Sequence, residues 1–334
     1  MKKNKKNANI IQVGIMGCAS IAERSLMPAF NSHPEFQLHS IASRSLVKAM
    51  PLAAQYEINV CRYDELVRSP DIDLIYIPLP TGLHEEWVTQ SLNHGKHVLC
   101  EKSLGVSLAD GMKMQQAARQ SNKALVENFQ FQYHSQQQFI KNMLKQGDVG
   151  EIRCFRSSFG FPPFANAENI RYQQALGGGA LLDSGAYTLK AIDFFLEERF
   201  TVRASRLMKP HGYEVDIYGG GFLDSMSGIV AEVAFGFDHF YQCNIEIWGS
   251  RGKLTANRVF TAPPGFSPEV VLETPNCIKR YQLEPDNHFI NMLNHLADII
   301  QTENFEPDYE ANEIQLKQIE SFKRCHCSNQ DFED

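Results

Sequence analysis

The chain has 334 residues, of which 43% are hydrophobic and 21% charged, with a formal net charge of -7 and a pI near 5.9. That composition excludes the disordered and fibrous classes and is long enough for two domains with separate cores. The acidic balance, with lysines dispersed except in the first six residues, excludes a basic field for nucleic acid.

Eight cysteines spread from Cys18 to Cys327 without a repeating frame fit free thiols in a reducing compartment, so a cytoplasmic location is expected. Met1 to Lys6 is basic and precedes apolar Ile10 to Met16 and the small residues Cys18-Ala19-Ser20, an outline that imitates a secretory leader. A strand ending in a glycine turn accounts for the same residues. No stretch reaches the roughly 20 apolar residues of a membrane span, so no membrane partner is expected.

The first apolar run ends in Gly17-Cys18-Ala19-Ser20-Ile21-Ala22, after which Ala22, Leu26, Ala29 and Phe30 recur at helical spacing. Strand, tight turn and helix is the context in which a G-x-G-x-x-A fingerprint sets a pyrophosphate on the N–H groups of a helix start. Gly17, Cys18, Ala19, Ser20 and Ile21 are therefore candidate cofactor-binding residues, with Ala19 standing where the middle glycine is usual. Taken alone, the motif is equally compatible with a structural turn.

Phe36 to Ala42 reads as the next strand, and Ser43-Arg44-Ser45 stands where an NAD enzyme places a carboxylate for the ribose 2′-hydroxyl. A guanidinium and hydroxyls there suit a 2′-phosphate, so NADP (as NADPH) is expected in preference to NAD. A solvated Arg44 and a helix-capping Ser45 are the alternative. Leu74-Ile75-Tyr76-Ile77 has the continuous apolar character of a buried parallel strand and ends at Pro78-Leu79-Pro80-Thr81. A helix over Leu83 to Asn93 is stopped by Gly95, and the strand His97 to Cys100 delivers Glu101-Lys102 to its carboxyl end. That edge is where ligands of open α/β sheets bind, and a lysine there is placed to polarise a carbonyl; a solvated Glu–Lys pair is the plainer reading. A helix from Ser107 to Gln120 and a strand from Ala124 to Val126 complete the alternation, which predicts a doubly wound parallel sheet and a dinucleotide-binding Rossmann domain over residues 1–130.

After a helix over Ser135 to Gln146 and a turn over Gly147 to Gly150, the pattern becomes strand-rich. Glu151 to Phe161, Val202 to Leu207, Val215 to Phe222, Ser227 to Phe237 and Phe240 to Gly249 read as strands, several with period-two alternation, and Gly249-Ser250-Arg251-Gly252 has hairpin chemistry. With helices near Asn287 to Thr302 and Glu310 to Cys325, residues 131–334 are expected to form an α+β domain around a mostly antiparallel, open-faced sheet. A sheet with apolar residues on its open face is usually covered by association, so a homo-oligomer is expected. The adjacent residues of Cys325-His326-Cys327 cannot easily converge on one tetrahedral metal, and a solvated tail is the better reading; no metal is expected.

Within this half, Leu176-Gly-Gly-Gly-Ala-Leu-Leu-Asp183-Ser-Gly-Ala-Tyr187 reads as a glycine loop opening onto a helix. Asp183 and Tyr187 are four residues apart and share a helix face at roughly 6 Å. An acid and a phenol facing the glycine turn is one reading; Tyr187 as a core aromatic and Asp183 as a helix cap is the other.

Taken together, Gly17 to Ala22, Pro80-Thr81-Gly82-Leu83-His84, His97 to Lys102 and Gly177 to Tyr187 resemble, in order and spacing, the Gfo/Idh/MocA family of NAD(P)-dependent oxidoreductases. The resemblance runs from Val13 to about Ile300. It implies Lys102 at the substrate carbonyl, Leu79, Thr81, His84, Glu101 and Asn128 among the cofactor-binding residues, and the helix from Asp183 as a wall of the site. Two positions depart from the usual family pattern: Ser103 follows Lys102 where most members have proline, and Tyr187 stands where many have histidine.

Asn169 to Tyr172, Phe235 to Tyr241 and Arg258 to Pro264 are similar to the NDP-sugar 3-ketoreductase branch. That similarity implies NADPH-dependent reduction of the 3-keto group of a nucleotide-linked deoxysugar, with Lys102 stabilising the developing oxyanion, Tyr187 donating the proton, and Asp183 contacting a substrate hydroxyl, orienting Lys102 or capping the helix. A free phenol has a pKa of about 10, so the nearby ammonium has a second task. Arg171, Tyr172, His239, Tyr241 and Arg258 are the candidate substrate contacts. A dehydrogenase of a free sugar or trans-dihydrodiol and a non-catalytic NAD(P) sensor are the rival readings.

Overall fold

The computed structural model describes residues 10–330; the basic Met1 to Lys6 segment lies outside the described residues. The chain forms two compact units, one built from residues up to 104, 109–128 and 289–313, the other from 105–108, 129–288 and 314 onward.

In the first unit the strands are β1 (Ile11–Met16), β2 (Phe36–Ala42), β3 (Asn59–Cys61), β4 (Leu74–Ile77), β5 (His97–Cys100) and β6 (Leu125–Glu127), in the order β3-β2-β1-β4-β5-β6. Every pair is parallel. Strands β4, β5 and β6 are buried at every residue, as their unbroken apolar runs require when helices cover both faces. Strand order reverses between β1 and β4, which opens a crevice at the carboxyl ends of those strands. The three residues of β3 are too few to carry a periodic signal, and sequence reasoning passes over them. Residues 289–313, late in sequence, join this unit: Asn312 Nδ2 donates to Leu125 O at 2.9 Å and Gln115 Nε2 donates to Tyr309 O at 3.2 Å.

The second unit holds eight strands: β7 (Ile152–Gly160), β8 (Phe200–Met208), β9 (Tyr218–Ser225), β10 (Val230–Gly236), β11 (Gln242–Gly249), β12 (Lys253–Asn257), β13 (Glu269–Glu273) and β14 (Ile278–Gln282). They are ordered β14-β13-β12-β11-β7-β10-β9-β8. All neighbours are antiparallel except β7 and β10. That parallel pair follows from a long crossover through the helix Ala186–Leu196 and β8–β9; the chain then steps over β7 from β10 to β11, whereas the other successive strands are antiparallel neighbours. Strands β12 to β14 go unread in the sequence because each has five residues, and β14 is an exposed edge with little alternation.

One face of this sheet packs on helices, with Phe155 against Phe195 and Phe235 against Phe322 at ring separations of 6.0 and 5.9 Å. The other face differs from the apolar surface anticipated. Arg156 bonds Glu232 and Glu246 at 2.8 Å on either side, Lys253 reaches Glu273 at 2.9 Å, and Trp248 lies under the Arg156 guanidinium at 5.6 Å. Its alternating positions carry matched charges across the strands, beside exposed Phe222 and Trp248. Cys325-His326-Cys327 lies within the helix Glu306–Gln330 rather than in a tail, and His326 Nδ1 accepts the Leu207 N–H at 3.4 Å. No helix among the described residues is long and apolar enough to cross a membrane.

His97, at the start of β5, accepts the Ala124 N–H at 3.1 Å and lies 5.7 Å from the Phe305 ring. Burial, reinforced by the Lys123 charge, pushes its pKa down from 6.5 to about 4. Between those values the folded chain binds fewer protons than the unfolded one, so this stabilisation is complete above pH 6.5 and is lost as pH falls through 4. His97→Gln should flatten the acid limb of the stability curve by up to roughly 3 kcal/mol, read from urea unfolding at stepped pH; an unchanged limb would refute the assignment.

Candidate active site

The crevice of the first unit is built around Gly17, which ends β1 with φ +114° and gives its N–H to Ala42 O at 2.8 Å. A Cβ at Gly17 would lie 3.0 Å from Leu79 Cδ2, so a side chain there is excluded by both conformation and space. The chain turns through Cys18 and Ala19 into a helical run from Ser20, wound as a π-turn over Ala22–Leu26 and as an α-helix over Met27–Ser32. No side chain caps this run. Its first turn thus presents N–H groups at the crevice, as a phosphate cradle requires.

Ser43 and Arg44 follow β2 on the same side. The Ser43 hydroxyl accepts the Ser45 N–H at 3.2 Å and bonds the Cys18 thiol, whose pKa burial raises against that bond and the Lys48 charge. Arg44 is exposed and bonds the Tyr63 phenol. The Tyr63 hydroxyl is itself 3.8 Å from the position a Gly17 Cβ would take. Arg44, Lys48 and Tyr63 therefore gather beside the Gly17 turn. Sequence reasoning reaches only the first of them, because Tyr63 arrives from the helix after β3, which is not read, and Lys48 looks like any solvated lysine.

At the ends of β4 and β5 the polar groups interlock. Glu101 accepts the Tyr76 hydroxyl and Asn128 Nδ2, each at 2.7 Å. Burial raises the Glu101 pKa against those two bonds and the Lys102 charge. Asn128 is 1% exposed and its Oδ1 is buried without a partner, an acceptor that suits a carboxamide or hydroxyl donor of a cofactor.

His84 is completely buried, with Nε2 2.8 Å from Leu79 O and Nδ1 3.0 and 3.2 Å from Ser103 O and Leu104 O. Burial lowers its pKa although the three carbonyls favour the charged ring, and the Lys102 charge lowers it further. Both nitrogens face backbone carbonyls, so His84 is packed between two loops, with its single neutral N–H donating on one side. Thr81 opens the short 3₁₀ turn that precedes it. Leu104 N–H donates to buried Glu127 at 2.7 Å, so the segment bearing half-buried Lys102 is tied down on both flanks. The Lys102–Ser103 peptide is cis.

The second unit holds the other constellation. The helix bearing Tyr187 begins with a π-turn over Leu181–Gly185 and continues as an α-helix over Ala186–Leu196. Its first N–H groups are satisfied from elsewhere: Ala180 N–H donates to Asp216 O at 2.8 Å and Leu181 N–H to Asp216 Oδ2 at 2.6 Å. Gly179, at φ +116°, allows this approach, since a Cβ there would lie 2.4 Å from Asp216 Oδ1. The capping role open to Asp183 thus belongs to Asp216. Asp183 instead accepts Arg171 Nε at 2.5 Å.

Tyr187 is 6% exposed, and its ring meets those of Phe129, Phe159 and Phe260 at 5.2, 5.3 and 5.5 Å. Gln130 Nε2 donates to its hydroxyl at 3.4 Å. The ring is a packing element, as the core reading has it, and its hydroxyl is held by the Gln130 amide. Gln130 is a residue that sequence reasoning misses, lying 57 positions away with no motif to mark it.

The remaining candidates fall in three places. Tyr172 accepts the Phe164 N–H at 3.0 Å, beside Arg171. Tyr241 bonds Thr261 at 2.8 Å beneath the Arg258 guanidinium, 5.2 Å from its ring. His239 contacts Asp238 at 3.2 Å and lies 5.7 Å from the Tyr218 ring.

Residues 11–129 match the profile of an oxidoreductase family with an NAD-binding Rossmann fold, and residues 137–255 match the GFO/IDH/MocA C-terminal domain. A dTDP-3,4-didehydro-2,6-dideoxy-alpha-D-glucose 3-reductase of Saccharopolyspora spinosa is 37% identical over 278 residues, covering 83% of each chain. The enzyme of that name from Actinomadura kijaniata is 36% identical over 299 residues, covering 89% of this chain and 90% of the relative. The crystal structure of KijD10, a 3-ketoreductase from Actinomadura kijaniata in complex with NADP and TDP-benzene, has a TM-score of 0.92 at 33% identity and covers 95% of this chain and 98% of that one.

If Asp216 is the helix cap, Asp216→Ala should destabilise the protein by about 1–2 kcal/mol, with Asp216→Asn recovering most of the loss. Chemical unfolding of the three proteins measures this, and equal stability would remove the cap.

Proposed function

The chain belongs to the Gfo/Idh/MocA family of NAD(P)-dependent oxidoreductases, and from that premise we propose that it reduces, with NADPH, the 3-keto group of a nucleotide-linked deoxysugar. The observation that carries the reading is the similarity, over 83% and 89% of the chain, to enzymes named as reductases of that bond. The Gly17 turn, the Ser43-Arg44 pair after β2 and the unpartnered Asn128 Oδ1 fit the cofactor.

Bound there, NADPH supplies a hydride to the carbonyl carbon. Lys102 stabilises the negative charge that develops on the oxygen, and the ties through His84 and Glu127 hold its segment so that little reorganisation is needed. Tyr187 delivers the proton. The Gln130 amide donates to the phenol oxygen and so stabilises the phenolate that remains. Asp183 positions Arg171, whose guanidinium suits the diphosphate of the substrate. Tyr172, His239, Tyr241 and Arg258 complete the substrate contacts in this reading. Arg44, with Lys48 and Tyr63 nearby, holds the 2′-phosphate.

Lys102→Met and Tyr187→Phe should each lower turnover about 10²-fold or more while NADPH still binds, followed by NADPH absorbance against keto sugars with and without a nucleotide. Near-normal rates would sink the assigned roles, and a free sugar reduced as well as its nucleotide-linked form would favour the free-sugar alternative. Arg44→Ala should weaken NADPH much more than NADH in a fluorescence titration; an equal loss for both would remove the 2′-phosphate contact.

A further inference from the structure

Three consecutive residues close on Tyr187. Phe129 and Phe131 are fully buried, and their rings lie 5.2 and 5.9 Å from that of Tyr187, at 90° and 52°. Between them in sequence, Gln130 sends Nε2 to the Tyr187 hydroxyl at 3.4 Å. The 3₁₀ turn Gln130–Tyr133 is closed by Gln132 N–H on Phe129 O at 3.2 Å and followed by His134 N–H on Phe131 O at 3.1 Å. All three side chains therefore leave a fixed backbone.

The middle residue is the odd one. Gln130 is 8% exposed, yet its Oε1 is buried without a partner. An acceptor left in that state is destabilising, because its lost hydration is not replaced. A methionine has nearly the same length, packs well among aromatic rings and leaves no strong acceptor unpaired. Stability alone therefore does not call for an amide here. What the amide has and an apolar side chain lacks is the N–H on the phenol oxygen.

We propose that Gln130 is a positioning residue that acts through Tyr187: its N–H steadies the oxygen once the proton has left, and so sets the upper pH limit of the reduction. The proposal rests on the reading of Tyr187 as the proton donor. In that reading the phenol must be protonated, so turnover falls as pH rises through its ionisation. A donor on the oxygen favours the phenolate and places that fall at lower pH. The same bond makes the phenol a better acid while hydride is transferred, which raises turnover below the fall. Loss of the N–H thus has two linked effects, a lower plateau and a later decline. Loss of packing alone would lower the plateau and leave the decline where it was.

The test is the pH profile of NADPH oxidation with dTDP-3,4-didehydro-2,6-dideoxy-alpha-D-glucose, the sugar for which the relatives are named. Gln130→Met should lower the plateau roughly 10-fold and move the alkaline decline up by about one pH unit, with NADPH affinity and the thermal melt unchanged. Gln130→Glu, whose carboxylate repels a phenolate, should move the decline at least as far. In a Tyr187→Phe background, Gln130→Met should cause no further loss, since the group it acts on is gone. An unmoved decline in both variants, or a loss in the Tyr187→Phe background as large as in the wild type, would overturn the role of Gln130 and leave Tyr187 as the donor. Near-normal turnover of Tyr187→Phe itself would overturn both.

Discussion

The burial of one imidazole against three backbone carbonyls sets the geometry of the cofactor-side crevice. His84 joins Leu79, at the end of β4, to Ser103 and Leu104, beyond the end of β5. A lysine at the end of a strand would otherwise ride on a mobile loop, whose ordering costs roughly 1–2 kcal/mol per residue. Here the segment is ordered on folding, with His84 packed against the carbonyls and the Leu104 N–H held by Glu127. Glu101 is tied in the same way, by Tyr76 from inside the sheet and Asn128 from the end of β6. Consecutive strands therefore contribute to one rigid rim.

How much of this is legible in the sequence depends on the kind of contact. Lys102 can be placed because an unbroken apolar run, His97 to Cys100, has to be a buried strand and has to end where polarity returns. Gly17 is legible because strand, turn and helix surround it. The helix Ser135–Gln146 is read in full, since an amphipathic period and the glycine after it bound it at both ends. The opposite case is Asp216, which caps a helix that begins 35 residues earlier, or Gln130, which reaches Tyr187 across 57. A single long-range hydrogen bond leaves no period and no composition behind it. The character of the open sheet face is hidden for a related reason: Arg156, Glu232 and Glu246 look like ordinary solvated charges until the register of β7, β10 and β11 sets them side by side.

The glycine run shows how a legible motif conceals its physical cause. Three consecutive glycines suggest a backbone passing close to a ligand, whereas at Gly179 the close neighbour is the chain's own Asp216 carboxylate. Burial raises the pKa of that carboxylate, and its bond from the Leu181 N–H opposes the rise. The Asp216 carboxylate takes a leading N–H of the helix, and Asp183 pairs with Arg171. A loop that reads as a ligand cradle is thus first a device for starting a helix.

The same helix bears on why a phenol stands where many family members carry histidine. Phe129, Phe131, Phe159 and Phe260 surround the Tyr187 ring, and the Gln130 amide reaches its oxygen. An imidazole in that box would have to carry positive charge to donate a proton, and desolvation would oppose it. A phenol donates from its neutral form and is charged only after the proton has left. The aromatic shell then favours the state that precedes transfer, and the charge left behind falls on the oxygen that receives an N–H bond. In the proposed reaction the aromatic box therefore selects the donor, and the stabilisation of negative charge is divided between Gln130 on the phenol and Lys102 on the sugar oxygen.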